Sequence, residues 1–241
     1  MKTPFHQRTA IVTLSLFALA GINSMNAEES TPPKKPSGES ASAVEGATKK
    51  STTEKKLEKA TFGNGCFWCT EAVFEELAGV EAAVSGYSGG RVPNPTYEQV
   101  STGATGHAEV IQVTFDPQKI TFPELLEVFW MTHDPTTLNR QGADVGTQYR
   151  SAVYFHNDEQ RKQTEHFKKK LDDAEAFNAP IVTEITKFEK FYPAEDDHQQ
   201  FYEANRRHPY CKAVVRPKVI KVRKAFKDKL KVNDKDEDQD K

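Results

Sequence analysis

The chain has 241 residues, a length that suits one globular domain with appended segments. Its 33 basic and 35 acidic residues nearly balance, which argues against a protein that binds nucleic acid or an anionic membrane. Hydrophobic residues make up only 37% of the chain, so a sizeable part of it should be solvated.

The first 27 residues have the pattern of a secretory signal peptide. Lys2, His6 and Arg8 precede an apolar run from Ala10 to Ile22, and a small residue, Ala27, follows near a cleavage point. The run is shorter than the ~20 apolar residues that a spanning helix needs. We therefore expect export to the periplasm or the exterior, with a retained membrane anchor as the alternative.

Two further segments lack the apolar residues of a core. Residues 28–59 consist mainly of Ser, Thr, Pro, Lys, Glu and Ala, which predicts a disordered tether. Residues 227–241 are rich in lysine and aspartate and predict a charged, disordered tail. The remaining span, 60–226, has the size of one catalytic domain.

The first structured unit runs from Ala60 to Leu77. A short strand ends at Gly63-Asn64-Gly65, Cys66 follows, and a helical pattern covers Thr70 to Leu77. This order predicts a strand–turn–helix unit with Cys66 at the start of the helix.

Later patterns predict further strands and helices. Alternating or apolar runs predict strands at 80–87, 107–115, 149–155 and 181–185, and helical spacing predicts helices at 122–131 and 158–171. Thr121 and Pro123 are suited to the start of the helix at 122–131. Residues 134–147 predict a long loop, which in a compact domain is usually functional. We expect an α+β fold: a two-layer α/β sandwich with a mixed sheet, a ferredoxin-like core and a long irregular C-terminal segment.

Cys66 and Cys69 stand three apart, separated by Phe67 and Trp68. Buried small side chains are one interpretation. A zinc site is poorly supported, because only Cys211 remains among the cysteines and no histidine pair has the H-x-x-H spacing. A thioredoxin-like exchange pair and a single attacking thiolate at a helix N-terminus stay open.

Other residues could assist a thiolate. Glu109 lies on a half-buried strand, where burial would raise its pKa and keep it protonated as an acid, although the solvated face is an equal alternative. Tyr87 and Tyr149 stand at strand ends near glycine-rich loops, where phenol groups could donate to a bound oxygen. For a single tyrosine, an ordinary core or edge position is the simpler interpretation.

Several long motifs together resemble one family. They are GCFWCTE (65–71), GYSGG (86–90), NPTYEQV (94–100), TGHAEV (105–110), HDPTTLNRQGADVGTQYRSAVY (133–154), FYPAEDDHQQFY (191–202) and PYC (209–211). In this order they resemble the peptide-methionine (S)-S-oxide reductases, the A-type methionine sulfoxide reductases. The resemblance covers residues 60 to about 226.

The resemblance implies a mechanism. Cys66 attacks the sulfur of methionine sulfoxide, and Phe67 and Trp68 wall the pocket for its methyl group. Glu109 gives its proton to the sulfoxide oxygen, and Tyr87 and Tyr149 hold that oxygen. Cys66 is left as a sulfenic acid, which a second thiol converts into a disulfide.

The resemblance also implies supporting residues and partners. Asp144 matches a position that orders the site through water. Cys211 matches the recycling position and is favoured as the resolving thiol, with Cys69 as the rival. The substrates are oxidised methionines in proteins or peptides, and a thioredoxin-like dithiol restores the enzyme. No metal or other cofactor is implied, and we expect a monomer without stable membrane insertion.

Two other classes of function stay open on the sequence. A disulfide oxidoreductase would use Cys66 and Cys69 for exchange. A non-enzymatic, tethered module would bind oxidised methionine without turnover.

Overall fold

The computed structural model of the protein describes residues 56–231. The predicted signal peptide, residues 28–55 of the predicted tether and residues 232–241 of the predicted tail lie outside this range. Within residues 56–231, no helix is both long and apolar enough to cross a membrane.

The described chain contains eight strands and six α-helices. The strands are β1 (Glu58–Asn64), β2 (Val80–Ser88), β3 (Ala108–Phe115), β4 (Arg140–Gln141), β5 (Asp144–Val145), β6 (Ser151–Phe155), β7 (Glu184–Lys187) and β8 (Phe191–Pro193). The helices are α1 (Phe67–Glu75), α2 (Tyr97–Ser101), α3 (Phe122–Thr132), α4 (Asp158–Asp173), α5 (Phe201–Ala204) and α6 (Arg216–Ala225).

Six strands form one sheet in the order β7-β6-β1-β3-β2-β8. The β6–β7 pair is parallel, and the other neighbours are antiparallel. The prediction of an α+β fold with a mixed sheet is therefore confirmed. The finer prediction of a ferredoxin-like core stays a prediction.

Strand β3 shows how the sheet divides its side chains between two faces. Ile111, Val113 and Phe115 belong to the main core with α1 and α3, whereas Ala108 and Val110 belong to a smaller cluster on the opposite face. Since successive side chains alternate, residue 109 faces the main core and α1. This periodicity decides the open question about Glu109, which is 2% exposed.

The C-terminal part of the domain is more regular than the sequence predicted. Residues 211–215 form a π-helical turn that continues into α6. Val215, Val219 and Val222 recur at helical spacing and are buried in the main core. The expectation of a long irregular segment is wrong for residues 211–225, because the burial of these valines in the core stabilises a helix there.

Several boundaries also differ from the sequence-based ones. Strand β1 begins at Glu58, inside the predicted tether, because its residues pair with β3 from Glu58 onward. At the other end, Leu230 bridges to Leu77 and the Lys231 N–H donates to the Glu76 carbonyl, so residues 227–231 are docked rather than part of a free tail. Tyr149 ends a 3₁₀ turn, and β6 starts two residues later.

Candidate active site

The turn after β1 places Cys66 at the N-terminus of α1. Gly65 has a φ of 97°, a left-handed conformation that glycine adopts readily. A Cβ on Gly65 would also come within 2.6 Å of Cγ of Gln141, so the position has no room for a side chain. Cys66 is the N-cap residue, and its carbonyl accepts from the N–H of Cys69 over 3.1 Å. Cys66 therefore stands at the end of the helix that carries positive dipole charge.

Glu109 lies against the first residue of this helix. The N–H of Phe67 donates to Oε2 of Glu109 over 3.1 Å. Burial raises the pKa of Glu109 to about 8; the Phe67 hydrogen bond opposes the shift, and the charges of Asp144 and Cys69 add to it. Near pH 7 the carboxyl is therefore mostly protonated and holds a proton one residue from the Cys66 backbone.

The two cysteines of the motif influence each other. All three cysteines of the chain are free thiols and buried. Burial, followed by the hydrogen bond to Cys69, raises the pKa of Cys66. The same hydrogen bond lowers the pKa of Cys69 to about 7, against burial and with help from Lys218 and Tyr210. The pair can thus hold one negative charge near neutral pH, and a proton can pass between the two sulfurs.

Tyr210 connects this pair to the loop residue Asp144. Its hydroxyl lies 3.8 Å from Sγ of Cys69 and donates to Oδ2 of Asp144 over 2.9 Å. Cys211 follows Tyr210, is 0% exposed, and has a pKa raised first by burial and then by the charge of Cys69. Cys211 and Cys69 therefore belong to one core cluster, in which α1 packs against the 211–215 turn.

An aromatic wall adjoins the thiols. The Trp68 ring stacks on Phe201 with centroids 3.7 Å apart, and its Nε1 donates to Nδ1 of His198 over 3.2 Å. Phe67 is 1% exposed and packs against Tyr97 and His198 with ring centroids 6.3 and 5.5 Å apart. This wall is fixed on several sides; Phe67 is buried in it, and the half-buried Trp68 provides its accessible apolar surface, two residues after Cys66.

The two tyrosines predicted for the site, Tyr87 and Tyr149, have different environments in the structure. Tyr149 is half-buried, and burial followed by the charges of Glu109, Tyr97 and Cys66 raises its pKa, as expected for a residue facing the site. Tyr87 lies opposite Glu109 in the β2–β3 register, but it is 0% exposed and its hydroxyl donates to Oε2 of Glu195 over 2.9 Å. The single proton of the Tyr87 hydroxyl is therefore donated to Glu195, and this hydroxyl does not suit the role of holding a substrate oxygen.

The structure adds Tyr97, which the sequence reasoning left unassigned. Burial, then the charges of Glu109, Cys66 and Asp144, raise the pKa of Tyr97, so its phenol shares the environment of the acid and the thiol. Thr96 caps the short helix α2 by a capping box with Gln99, and the N–H of Tyr97 donates to Oε1 of Glu195 over 2.8 Å. The sequence signal was the Thr-x-x-Gln pattern inside NPTYEQV.

Two more residues of the site were missed. His198 and Tyr210 stand in the quoted motifs, yet their roles depend on contacts across 130 and 141 residues of sequence. Among residues 56–231, no group of three or more His, Cys, Asp or Glu side chains is arranged to hold a metal ion.

Comparisons with known proteins agree on one family. The family model of peptide methionine sulfoxide reductase matches residues 58–230. The chain is 53% identical over 178 residues to the peptide methionine sulfoxide reductase MsrA of Saccharolobus solfataricus, covering 74% of this chain and 99% of that protein. It is 50% identical over 175 residues to the MsrA of Acinetobacter baumannii, covering 73% and 99%.

Solved structures give the same result. Reduced Mxr1 from Saccharomyces cerevisiae has a TM-score of 0.61 and 34% identity, covering 66% of this chain and 91% of that one. Methionine sulfoxide reductase A of Corynebacterium diphtheriae has a TM-score of 0.57 and 38% identity, covering 64% and 77%.

Proposed function

The chain belongs to the peptide methionine sulfoxide reductase family, and from that premise we propose that it reduces methionine S-sulfoxide in proteins to methionine. It also reduces free and small-molecule sulfoxides, and the reaction on proteins repairs oxidative damage. One observation carries the proposal: the buried carboxyl of Glu109, whose pKa is raised to about 8 by burial, accepts a hydrogen bond from the N–H of the residue that follows Cys66. A thiol and a proton donor in that arrangement can remove oxygen from sulfur.

In the first step, the sulfur of Cys66 attacks the sulfoxide sulfur. Cys66 gives up its own proton, to Cys69 in the wild type or to water where Cys69 is absent, and Glu109 gives a proton to the sulfoxide oxygen. The phenols of Tyr97 and Tyr149 donate to that oxygen, while Trp68 contacts the methyl group. The oxygen moves to Cys66, so that methionine leaves and Cys66 is left as a sulfenic acid.

Resolution of the sulfenic acid then uses the second cysteine of the motif. The Cys69 thiol attacks Cys66, a disulfide forms and water leaves. Cys69 is three residues from Cys66 on the first turn of α1 and influences the pKa of Cys66, whereas Cys211 is influenced by the charge of Cys69; this supports Cys69 rather than Cys211 as the first partner. Cys211 can next attack Cys69; its proton is transferred to the departing Cys66, and a Cys69–Cys211 disulfide remains.

The oxidised enzyme needs an external reductant. A thioredoxin-type dithiol attacks the intramolecular disulfide, and two exchange steps return both enzyme thiols. We also propose that the protein is exported, on the basis of the basic start and short apolar run of residues 1–27. N-terminal sequencing of the protein recovered from its host would test the export by finding, or not finding, cleavage near Ala27.

One assay separates the proposal from the two other classes of function. The chain is incubated with methyl p-tolyl sulfoxide and dithiothreitol, and in parallel with insulin and dithiothreitol. The reductase forms sulfide catalytically; a disulfide oxidoreductase would instead accelerate insulin reduction; a binding module would do neither. Sulfide from the S but not the R enantiomer is the expected result, and absence of sulfide from both would refute the proposal.

A further inference from the structure

The region described by the structure exposes four large hydrophobic side chains: Leu57, Leu138, Val145 and Val182. Single exposed apolar residues are ordinary on protein surfaces. The two most exposed of the four, however, occupy one short segment: Leu138 is 71% exposed and Val145 is 67% exposed. We call residues 138–146 the rim hairpin, since β4 and β5 pair within it and the N–H of Gly146 donates to the carbonyl of Asn139 over 2.9 Å.

The rim hairpin borders the catalytic thiols. Its residue Gln141 packs on Gly65, directly before Cys66, so closely that no side chain would fit at Gly65. Its residue Asp144, next to Val145, accepts the hydrogen bond from Tyr210, which contacts Cys69. A polypeptide that inserts one side chain toward Cys66 must therefore pass its backbone beside this hairpin.

The hairpin is also held in a defined conformation. The side-chain amide of Gln141 bonds both the N–H and the carbonyl of Asp134, over 3.1 and 3.0 Å. Thr137 donates to the carbonyl of Arg140 over 2.7 Å. Leu138 and Val145 are consequently presented on a fixed backbone, which lowers the entropy cost of binding an apolar partner.

The chemistry of the substrate indicates which partner binds at Leu138 and Val145 of the rim hairpin. Methionine belongs mainly to apolar segments, and its oxidation converts an apolar side chain into a polar one that disrupts cores. The segments that carry sulfoxide therefore expose apolar neighbours. We propose that Leu138 and Val145 on the rim hairpin form a docking surface for the apolar residues that flank an oxidised methionine in a polypeptide substrate; this inference rests on the proposed reductase function.

The test compares two substrates on the full chain with dithiothreitol as reductant. One is a capped peptide with leucine and valine on either side of methionine S-sulfoxide, and the other is methyl p-tolyl sulfoxide. The variants are Leu138→Ser, Val145→Ser and the double change. Leu57→Ser is the matched control, because this exposed leucine precedes β1 at the end of the strand opposite to Cys66.

The double variant should raise KM for the peptide about tenfold with kcat nearly unchanged, since partial burial of the two side chains can supply the ~1.4 kcal/mol that this factor requires. Its KM for the small sulfoxide should stay within about twofold, and Leu57→Ser should change neither value. Leu138→Met with Val145→Ile should keep the wild-type peptide KM, because it preserves the apolar surface.

Three outcomes would overturn the inference. The first is an unchanged KM for the peptide in the double variant, and the second is an equal rise in KM for both substrates. The third is a rise in KM seen only when a thioredoxin-type protein replaces dithiothreitol, which would assign the surface to binding of the reductant. Failure of the reductase function itself is distinguishable, because the wild-type protein would then release no sulfide from the small substrate.

Discussion

The backbone N–H of Phe67 and Oε2 of Glu109 are joined by a 3.1 Å hydrogen bond that ties the first turn of α1 to strand β3. The bond fixes the carboxyl beside Cys66 while the other carboxyl oxygen stays free to carry a proton. Because Glu109 is 2% exposed, this proton is retained near neutral pH. The raised pKa that the proposed acid needs thus follows from placing a carboxyl on the core face of a strand.

Glu109→Gln keeps the shape of the side chain and the acceptor for Phe67 but removes the transferable proton. We expect kcat to fall by about 10²–10⁴-fold, the usual contribution of a placed general acid. The wild-type kcat/KM should also decline as pH rises through about 8, the pKa of Glu109 in the free protein, and this decline should vanish in the variant. Steady-state rates between pH 6 and 10 would measure both effects; Glu189→Gln, at an exposed position, is the control. A wild-type rate in Glu109→Gln would assign the proton to another group.

The same carboxyl should lower the stability of the fold. The pKa of Glu109 is raised from an ordinary 4.5 to about 8, so between these values the folded state binds more protons than the unfolded state. Stability therefore falls as pH rises through this window. Glu109→Gln removes the effect and should be more stable than wild type, by a margin that widens from about pH 5 to about pH 8. Urea unfolding at several pH values would measure it; a constant margin would disagree with the raised pKa.

Tyr97 and Tyr87 should differ in what their hydroxyls do. Tyr97→Phe removes a donor near the reacting oxygen, and we expect a loss in kcat of about 10- to 100-fold, below that of a sole oxyanion donor because Tyr149 remains. Tyr87→Phe removes a buried bond to Glu195 and should cost about 1 kcal/mol of stability with little change in kcat. An equal decrease of kcat in both variants would indicate that Tyr87, too, binds the sulfoxide oxygen.

The order of disulfide formation is open to direct mapping. With one equivalent of sulfoxide and no reductant, Cys211→Ser should form a Cys66–Cys69 disulfide and release one methionine. Cys69→Ser should release methionine but accumulate sulfenic acid on Cys66, and turnover with a thioredoxin-type reductant should fail. Peptide mapping by mass spectrometry distinguishes these species. A Cys66–Cys211 disulfide in Cys69→Ser, formed as fast as the wild-type disulfide, would favour Cys211 as the direct partner.

The sequence predicted the local parts of this site well. Cys66 at a helix start follows from glycines before a helical pattern, and the alternation of β3 limited Glu109 to two faces. The choice of face depended on which side of β3 packs on α1 and α3. The exchange of Tyr97 for Tyr87 depended on the hydrogen bond between Tyr87 and Glu195, which lie 108 residues apart in sequence. The helix at 216–225 was missed because its two valines are outnumbered by lysine and arginine residues, and they are recognised as a buried stripe only from their packing on α1 and α3.

The attack by Cys66 is tested most directly by trapping its first product. The Cys69→Ser, Cys211→Ser double variant keeps Cys66 as its only thiol. With methionine S-sulfoxide in excess, no reductant and dimedone present, it should release one methionine per protein and carry one dimedone adduct, on Cys66. Full methionine release from the triple variant that also carries Cys66→Ser, or a double variant that releases none and stays unlabelled while correctly folded, would contradict the account.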